Sequence, residues 1–474
     1  MTAGLAARVS PWIETRLDEA VEIIRGITFP SGAKSIAPSK DSIACLRTTN
    51  VQREVEWDDL WYVAKSFMKR DDQLVRVNDI LISNANSLEL VGKVALIRDV
   101  PIPATLGTFI TLFRTRGGID PRFVYFQLSS PEVRGAIRAI ASTTTNISNV
   151  STAKLAQIRL RLPPLTEQCR IVAEIEKQFT RLEAGVSALR RVQANLKRYR
   201  AAVLKAACEG RLVPTEAEIQ KSGVRGQKAK APYETGEALL ARILTERRQN
   251  WQGRGKYQEP TAPNTTSLPS LPDGWTYVSV ETVGFVQLGR QRAPKHHTGE
   301  NMRPYLRVAN VYEDRIDLSD VKEMNFTPEE FEIFRLKPND ILLNEGQSLE
   351  LVGRPALYRG ELPGACFTNT LVRFRPCPSL DVKFALSVFR AFMHSGRFQK
   401  IANWTTNIAH LGADRFAKLA FPLPPLVEQT RIVAEVERRL SVVEELETVV
   451  SADLLRATRL RQSILRSAFS GKFN

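Results

Sequence analysis

Two stretches of almost identical sequence decide the fold of this chain. Residues 163–179 read PPLTEQCRIVAEIEKQF, and residues 424–440, which begin 261 positions later, read PPLVEQTRIVAEVERRL. A constant offset over many segments indicates a tandem duplication, so we expect each half to be a globular unit followed by a long helix. The other segments that the same offset relates are NDIL at 78–81 and 339–342, SLELVG at 87–92 and 348–353, and TNI at 145–147 and 406–408.

The length and composition of the chain are those of a globular protein. Its 474 residues exceed the usual size of one domain, and two globular units with helices account for them. No apolar run approaches the ~18 residues that a membrane helix requires, and the N-terminal residues show no secretory signal. The five cysteines, an odd number without a CxxC motif, are typical of a reducing compartment. We therefore expect a cytoplasmic location and no membrane partner.

The net charge of +16 indicates a polyanionic partner, most simply nucleic acid, although positive charge can also serve solubility alone. The excess is greatest in residues 163–270, which hold 19 Lys and Arg against 11 Asp and Glu. Residues 184–208 contain six cations and no acid. Two interpretations of this run are open. It is either a solvated helix face whose cations suit the C-terminal end of the helix dipole, or a stripe that follows DNA phosphates.

The first 162 residues are predicted to form a β-rich globular unit. Two segments that begin with proline, 121–128 and 131–140, are predicted to be helices because proline fits the first helical turn. The segment STTTNIS at 142–148 is predicted to be a polar loop. Short apolar runs indicate strands of a mixed or antiparallel sheet at 23–24, 80–82, 94–97, 108–113 and 158–162.

A long helix is predicted after each Pro-Pro pair. Thr166 is placed to cap the first helix, and Glu167 lies in its first turn, where negative charge is favourable. Apolar residues then repeat with heptad spacing, and the second copy has the same phase. Because an apolar stripe on a lone helix is unstable in water, we expect the two helices to pair with each other.

One of the two heptad series in the first helix is interrupted by polar residues. Gln193 and Arg200 stand where apolar residues are expected, and Val192 and Tyr199 stand beside them. We therefore expect Val192 and Tyr199 to take over the contact in the helix pair.

Residues 215–270 are predicted to be a linker rich in Gly, Lys and Pro, with one short helix at 234–251. The segment LPDGW at 271–275 opens the second globular unit, which extends to residue 422. Within it, residues 306–311 match residues 46–51 at an offset of 260, which implies a one-residue insertion or deletion before residue 339.

Motifs of several catalytic classes are missing from the sequence. There is no Gly-x4-Gly-Lys-Ser/Thr for ATP, no GxGxxG after a predicted strand, and no Asp/Asn-Pro-Pro-Tyr/Phe of the amino-methylating DNA methyltransferases. The adjacent pair His296-His297 is a poor metal site because neighbouring side chains point in different directions in regular structure. We therefore expect the chain to be no enzyme, with no catalytic and no metal-ligating residues.

Polar loops in each half are candidates for reading DNA bases. Arg pairs with guanine, and Asn or Gln with adenine, through two hydrogen bonds each. Three loops in each half carry such side chains. The candidates are Arg47, Asn50, Asn84, Asn86, Lys93, Thr144, Thr145 and Asn146 in the first half, and Arg307, Asn310, Asn344, Gln347, Arg354, Thr405, Thr406 and Asn407 in the second.

The alternative interpretation is that residues shared by both halves hold the fold as turns and side-chain caps. If the two halves read different DNA sequences, shared positions should be structural and divergent positions should read bases. For the shared pair Asn146 and Asn407, a structural role or a phosphate contact is favoured over base reading.

The paired PPLxEQxRIVAExE segments, each after a variable β-rich unit and before a long heptad helix, resemble the specificity subunits of Type I restriction-modification enzymes. Three further segments are similar to that family: LKAACEGRL at 204–212, the segment 248–260, and LPDGW at 271–275. The resemblance covers essentially the whole chain.

The resemblance implies an α+β fold. Two β-rich, mixed α/β target recognition domains, 1–162 and 271–422, would be separated by two conserved helices, 163–214 and 423–474. The helices would pair antiparallel as a coiled-coil spacer in a pseudo-twofold tandem repeat, with 215–270 as the linker.

The resemblance also implies a non-catalytic reader of a bipartite, asymmetric site on double-stranded DNA. Each domain would read one half, and the helices would fix the gap. The implied partners are two methylase subunits, which methylate adenine with S-adenosylmethionine, and two restriction subunits, which cleave DNA with ATP and Mg²⁺. Those cofactors would belong to the partners, with none in this chain. The alternatives are the reader of another restriction-methylation system, or an architectural DNA-binding coiled-coil protein.

Overall fold

A computed structural model describes residues 12–144, 147–222, 233–251, 255–405 and 407–470. The chain divides into two compact units. Unit 1 comprises Met1–Arg191 with Val450–Asn474, and unit 2 comprises Val192–Val449. Each unit therefore contains one globular half together with parts of both long helices. All five cysteines are free. None of the helices in the described ranges is long and apolar enough to cross a membrane.

Unit 1 confirms the predicted strands and both proline-initiated helices. Asp120 and Ser130 cap these two helices by accepting hydrogen bonds from their first turns. Residues 142–148, predicted to be a polar loop, instead include both strands of a short hairpin. The helices of the globular part are α1 (Leu17–Ala20), α2 (Pro121–Ser129), α3 (Pro131–Ala139) and α4 (Thr152–Ala156). The strands are β1 (Ile13–Arg16), β2 (Val21–Arg25), β3 (Ser42–Leu46), β4 (Trp61–Ala64), β5 (Ile80–Ser83), β6 (Ala85–Asn86), β7 (Val94–Leu96), β8 (Ala104–Leu106), β9 (Ile110–Thr115), β10 (Ser142–Thr143), β11 (Ser148–Asn149) and β12 (Arg159–Leu162).

The centre of unit 1 is an antiparallel sheet in the order β2-β9-β5-β7. Side chains alternate between its faces, so Ile80 and Ile82 join the core beneath α2. Leu81 points to the other face and packs with the sheet β4-β3-β8. Both faces are thus buried, which explains why this strand is an uninterrupted apolar run.

Three helices follow in the chain: α5 (Leu165–Cys208), α6 (Glu216–Ser222) and α7 (Gly236–Gln249). Helix α7 lies within the predicted helical segment of the linker, whereas α6 was not expected. Leu239 and Ile243 of α7 are buried in the core of unit 2. At the start of α6 the Glu216 backbone N–H donates a 3.2 Å hydrogen bond to the Glu428 carboxylate, which also accepts from the Trp275 indole N–H at 2.8 Å. Parts of the predicted linker are therefore packed within unit 2.

Unit 2 repeats the architecture of unit 1. Its central sheet has the order β14-β23-β19-β21, and it packs with the sheet β18-β15-β22. The helices are α8 (Val280–Val283), α9 (Pro328–Phe334), α10 (Val382–His394), α11 (Arg397–Ile401), α12 (Ala413–Ala417) and α13 (Leu426–Phe469). The strands are β13 (Thr276–Ser279), β14 (Gly284–Leu288), β15 (Met302–Leu306), β16 (Val311–Tyr312), β17 (Arg315–Ile316), β18 (Lys322–Asn325), β19 (Asp340–Asn344), β20 (Gly346–Gln347), β21 (Pro355–Tyr358), β22 (Cys366–Phe367), β23 (Leu371–Pro376), β24 (Asn403–Thr405), β25 (Ile408–His410) and β26 (Ala420–Leu423).

The repeated NDIL segment forms the same turn in both units, with an exposed asparagine followed by a buried aspartate. Its asparagine adopts a left-handed backbone, with φ 72° at Asn78 and 74° at Asn339, a conformation that asparagine tolerates better than most residues. The following Asp79 is buried, and its carboxylate accepts hydrogen bonds from Nε and Nη2 of Arg114 at 2.9 and 2.7 Å. In unit 2 the Asp340 carboxylate accepts from Nε and Nη2 of Arg375 at 2.6 and 2.7 Å. Conservation of NDIL between the halves therefore has a structural cause.

The repeated PPLxEQ segment starts each long helix with a buried glutamine. In unit 1 the Gln168 Oε1 accepts a hydrogen bond from the Asp120 backbone N–H at 2.9 Å, and its Nε2 donates to the Pro163 carbonyl at 2.8 Å. The helix begins at Leu165, so Thr166 lies inside the first turn. The prediction that Thr166 caps the helix is therefore wrong, and the N–H groups of residues 167 and 168 bond instead to the carbonyl of residue 164.

Unit 2 makes the same glutamine contact. The Gln429 Oε1 accepts from the Asp381 backbone N–H at 2.9 Å, and its Nε2 donates to the Pro424 carbonyl at 3.0 Å. Asp381 also caps α10, as Asp120 caps α2. The glutamine thus joins the start of the long helix to the start of the main helix of the globular part.

The long helices α5 and α13 each contain 44 residues, a length of about 66 Å at 1.5 Å per residue. In each unit one end of α5 shares a core with the opposite end of α13, so the pairing is antiparallel. The shared residues are Ile171, Val172, Ile175, Phe179, Ile464, Leu465, Ala468 and Phe469 in unit 1, and Val203, Leu204, Ala207, Ile432, Val433, Val436 and Leu440 in unit 2.

Polar residues keep the heptad phase where the apolar series is interrupted. The Arg200 side chain is 13% exposed, and its guanidinium donates to the Glu447 carboxylate of α13 at 2.7 Å. Gln193 is half-buried, whereas Val192 and Tyr199 are exposed. The expectation that Val192 and Tyr199 replace the polar residues is wrong. The aliphatic part of the Arg200 side chain lies along the apolar seam, and its guanidinium binds Glu447 of α13. Arg200 can therefore occupy the heptad position itself, and the residues beside it do not replace it.

We expect Gln429→Ala to lower the free energy of unfolding of the full chain by about 1–3 kcal/mol, because it leaves a buried N–H and a buried carbonyl unpaired. Thr430→Ala, at the exposed next position, is the matched control and should have little effect. Chemical denaturation of both variants measures the difference, and equal midpoints would contradict the role given to the glutamine.

We also expect Leu440→Asp to destabilise the helix pair in unit 2 by roughly 3 kcal/mol or more, because it places a charge in a buried apolar seam. Leu182→Asp should cost less because Leu182 is only half-buried. Val442→Asp, two residues away and exposed, serves as the control. If Leu440→Asp unfolds with the same midpoint as Val442→Asp, the helix-pair structure is incorrect.

Candidate nucleic-acid interface

A small three-stranded sheet brings the second and third candidate loops of unit 1 together. Strand β11 pairs with β6 on one side and with β10 on the other. Asn86 on β6 lies opposite Ser148 on β11, and Thr144 follows directly after β10. Asn86 is half-buried and Thr144 is exposed. Thr145 and Asn146 lie outside the described residues.

The first candidate loop of unit 1 reaches the same place through Lys93. Its ammonium group donates a 2.8 Å hydrogen bond to the side chain of Gln52, five residues after Arg47. Burial lowers the pKa of Lys93, and the nearby charge of Arg134 lowers it further. Lys93 donates to a neutral amide, and the charge of Glu56 offsets only part of the effect of burial, so an added anion would stabilise the cation further.

Unit 2 builds the same arrangement from different side chains. Strand β25 pairs with β20, which carries Gln347, and with β24, which ends at Thr405. The Arg354 guanidinium lies 4.7 Å from the centre of the Tyr312 ring. Tyr312 occupies the position of Gln52 at the offset of 260, and Arg354 that of Lys93 at 261. Burial lowers the pKa of Arg354. Asn407 is exposed after β24, and Thr406 lies outside the described residues.

Asn50 and Asn310 hold their own loops. Both are buried, with 2% of each residue exposed. The Asn50 amide accepts from the Arg47 N–H at 2.9 Å and donates to the carbonyls of residues 56 and 58 at 3.0 and 2.9 Å. The Asn310 amide accepts from Arg307 at 3.0 Å and donates to the carbonyls of residues 317 and 320. These bonds leave neither amide a free edge for a base, which corrects the base-reading hypothesis at both positions in favour of the structural alternative.

The two arginines of the first loops are tied to acids of the same loops. Arg47 bonds to the carboxylate of Asp59 and lies 4.7 Å from the centre of the Trp61 ring. Arg307 bonds to the carboxylate of Asp320. Base reading by either guanidinium would require exchange of an acid for a base edge, a swap that exposed carboxylates permit.

Asn84 and Asn344 lie beneath the surface. The Asn84 amide donates to the Thr111 hydroxyl at 2.6 Å. Asn344 is fully buried, and within the described ranges neither atom of its amide has a hydrogen-bond partner. Val372 stands where unit 1 has Thr111, which explains the loss of the bond. Burial prevents Asn344 from reaching DNA in this conformation, which corrects that candidate.

The accessible candidates form one polar surface on each unit. Asn86 and Gln347 each accept a hydrogen bond from the next backbone N–H, at 2.9 and 3.1 Å. The hydroxyls of Thr144 and Thr405 each donate to a carbonyl three residues on, at 3.1 Å. These short local bonds orient the side chains without burying them. Short β-strands can present such side chains to the base edges in a groove of B-DNA.

Three further residues of this surface, Gln52, Tyr312 and Trp404, were not among the candidates predicted from the sequence. Gln52 and Tyr312 join loops that are distant in sequence, and Trp404 is an exposed aromatic residue on β24. A position-by-position comparison of the two halves could have found them, because each of these residues differs in type from its counterpart in the other half. As for metals, no group of three or more His, Cys, Asp or Glu side chains among the described residues is placed to hold an ion.

No protein-family model matches the chain. The Type I restriction enzyme StySPI specificity subunit of Salmonella potsdam is 24% identical over 97% of this chain and 89% of its own length. The Type I restriction enzyme EcoKI specificity subunit of Escherichia coli (strain K12) is 23% identical over the same shares. A chain from a solved structure on complex assembly and conformational transition of a type I R-M system has a TM-score of 0.61 and 18% identity, with 100% of both chains covered, and shares the fold. The chain is therefore a homologue, over nearly its whole length, of the specificity subunits of Type I restriction enzymes.

Proposed function

We propose that the chain is the DNA sequence-specificity subunit of a Type I restriction-modification complex. Each unit reads one half of a bipartite, asymmetric site on double-stranded DNA. The paired helices fix the gap between the half-sites and recruit the other subunits. The proposal rests mainly on one observation, that both units carry the same three candidate loops at equivalent positions. This three-loop surface is marked by Asn50, Asn86 and Thr144 in unit 1 and by Asn310, Gln347 and Thr405 in unit 2. In each unit the same buried glutamine joins the globular part to a long helix.

The chemistry of the two surfaces supports the reading of different half-sites. The frame is shared, since Asn50 and Asn310 hold equivalent loops. The side chains around it differ most where Gln52 of unit 1 is replaced by Tyr312 in unit 2. Asn and Gln both pair with adenine, and Lys and Arg both pair with guanine, so the exchanges of Asn86 for Gln347 and of Lys93 for Arg354 change the reach of a contact, whereas the exchange of an amide for an aromatic ring changes the chemistry offered to the bases.

The helices offer a surface for partner subunits. In unit 2, Val442, Leu446 and Val449 of α13 are 50%, 44% and 50% exposed. Their spacing of four and three places them on one face of the helix. An exposed apolar stripe at this spacing is typical of a helix that packs against another protein. We assign this stripe to contact with a methylase subunit. Two similar units in one chain can bind two copies of that subunit.

The chain is proposed to be non-catalytic. Methylation with S-adenosylmethionine and cleavage with ATP and Mg²⁺ are assigned to the two methylase and two restriction subunits. The lack of the corresponding methylase and ATP motifs in the sequence supports this division. An architectural DNA-binding protein is the alternative, and the next experiment separates the two.

Co-expression of the chain with its neighbouring candidate methylase should modify adenines at one bipartite motif with a fixed gap. Long-read sequencing of host DNA maps the modified bases and gives both half-sites at once. The purified chain alone should bind DNA in a salt-dependent manner without modifying it, because phosphate contacts release counterions. A complex that assembles and leaves no modified motif would favour the architectural alternative, and methylation by the chain alone would refute the assignment.

Leu446→Asp should lower the methylase that co-purifies with the chain from two copies to about one, and should leave the stability of the chain close to wild type, because Leu446 is exposed and lies in unit 2. Thr448→Asp is the matched control, since this exposed residue flanks the helix seam on the opposite side. The mass of the captured complex, with thermal melting of each variant, measures both effects. Two copies of the methylase on Leu446→Asp would show that the stripe is not the contact.

A further inference from the structure

We propose that Trp404 contacts the DNA bases of the half-site read by unit 2 through the face of its indole ring. This inference rests on the proposed DNA-reading function and adds a residue that differs in kind from the amide and cationic candidates. It assigns recognition by stacking to unit 2, where unit 1 uses hydrogen-bonding groups.

The first step is the equivalence of one cross-strand row in the two units. In unit 1 the row consists of Thr143, Ser148 and Asn86, each opposite the next on β10, β11 and β6. In unit 2 it consists of Trp404, Ala409 and Gln347 on β24, β25 and β20. All three positions correspond at the offset of 261. Directly opposed residues lie on the same face of a sheet, so each row presents one set of side chains.

The second step is the difference in chemistry along this row. The hydroxyls of Thr143 and Ser148 lie 2.9 Å apart and form a hydrogen bond. Ala409 has no polar side chain and is buried. Trp404 lies on the edge strand opposite Ala409 and is 56% exposed. One unit thus closes the row with a small hydroxyl, and the other extends it with the largest aromatic side chain.

The third step is the lack of a structural reason for the indole. Within the described residues, its ring stacks on no other aromatic ring and its N–H donates to no protein acceptor. A large apolar ring in water is unfavourable, and exposed Trp is typical of contact surfaces. Trp404 also shares its row with Gln347, a candidate for DNA contact.

The ligand that fits this position is the base stack of DNA. Every base has an aromatic face, and proteins stack indoles on bases or insert apolar side chains between base steps. A phosphate could accept a hydrogen bond only at the edge of the indole, from its N–H, and would leave both apolar faces of the ring in water. The contact would make unit 2 sensitive to how easily one base step opens, a property that depends on sequence.

The experiment uses the full chain in complex with its methylase and a duplex that carries the motif mapped for the wild-type complex. Trp404→Ala should weaken binding about tenfold, the usual effect of the loss of one base-stacking ring. Trp404→Phe should bind within about threefold of wild type because a stacking ring remains. Trp251→Ala removes another exposed tryptophan of unit 2 outside the three-loop surface and should leave binding unchanged.

Two further readouts separate base contact from a structural role. Duplexes with single base changes should show that Trp404→Ala loses discrimination in one half-site only. The decrease in tryptophan fluorescence on DNA binding should be smaller for Trp404→Phe than for wild type. Both proteins are expected to be folded, so the difference reports on Trp404 itself. Wild-type affinity and discrimination in Trp404→Ala, or equal quenching in Trp404→Phe, would overturn the inference. A wild-type complex without any mapped motif would instead refute the proposed function.

Discussion

The buried glutamine at the start of each long helix is the contact on which the rest of the structure depends. Gln168 and Gln429 use both ends of the amide, one toward the cap of a globular helix and one toward the proline before the long helix. Three of these four bonds are buried and that of the Asp381 N–H is partly buried, so an unpaired partner is costly. The direction in which a long helix leaves its globular part is therefore set by two hydrogen bonds rather than by a flexible joint. Any function that requires a fixed helix direction relies on these bonds.

Much of the fold could be predicted because the duplication supplies an internal comparison. Segments such as NDIL and PPLxEQ are repeated because they form a buried ion pair and a buried amide contact, and both constraints are visible as identity. The error at Val192 and Tyr199 arose from treating apolar character as the only requirement of a heptad seam. Arg200 satisfies the seam with its stem and Glu447 satisfies its charge, and the acid lies 247 residues away in the sequence. A distant partner of this kind cannot be read from local spacing.

The candidate surface was only partly predictable for a similar reason. Residue type suggested Asn50, Asn310 and Asn344 as base readers, but the same amide that recognises adenine also closes a loop. Burial decides between the two roles, and burial depends on packing with strands that come later in the chain. Lys93 and Arg354 are half-buried, and their contacts with Gln52 and Tyr312 show how the loops are joined. In hindsight, positions that differ between the halves were better candidates than positions that both halves share.

The asymmetry of the helix seam has a consequence for self-association. Two helices of common ancestry could pair with the same helix of a second molecule, since their apolar stripes are alike. The position in α5 that corresponds to Glu447 is Val186. An α5–α5 pair between two molecules would set Arg200 against a valine in place of Glu447, and would leave this half-buried cation only Glu183, the counterpart of Glu444, which lies 3.7 Å from Arg200. Loss of the nearer acid makes such a pair less favourable. Pairing of α5 with α13 gives the arginine Glu447 at 2.7 Å. One divergent position thus favours a chain that folds back on itself over a chain that dimerises through its repeated helix.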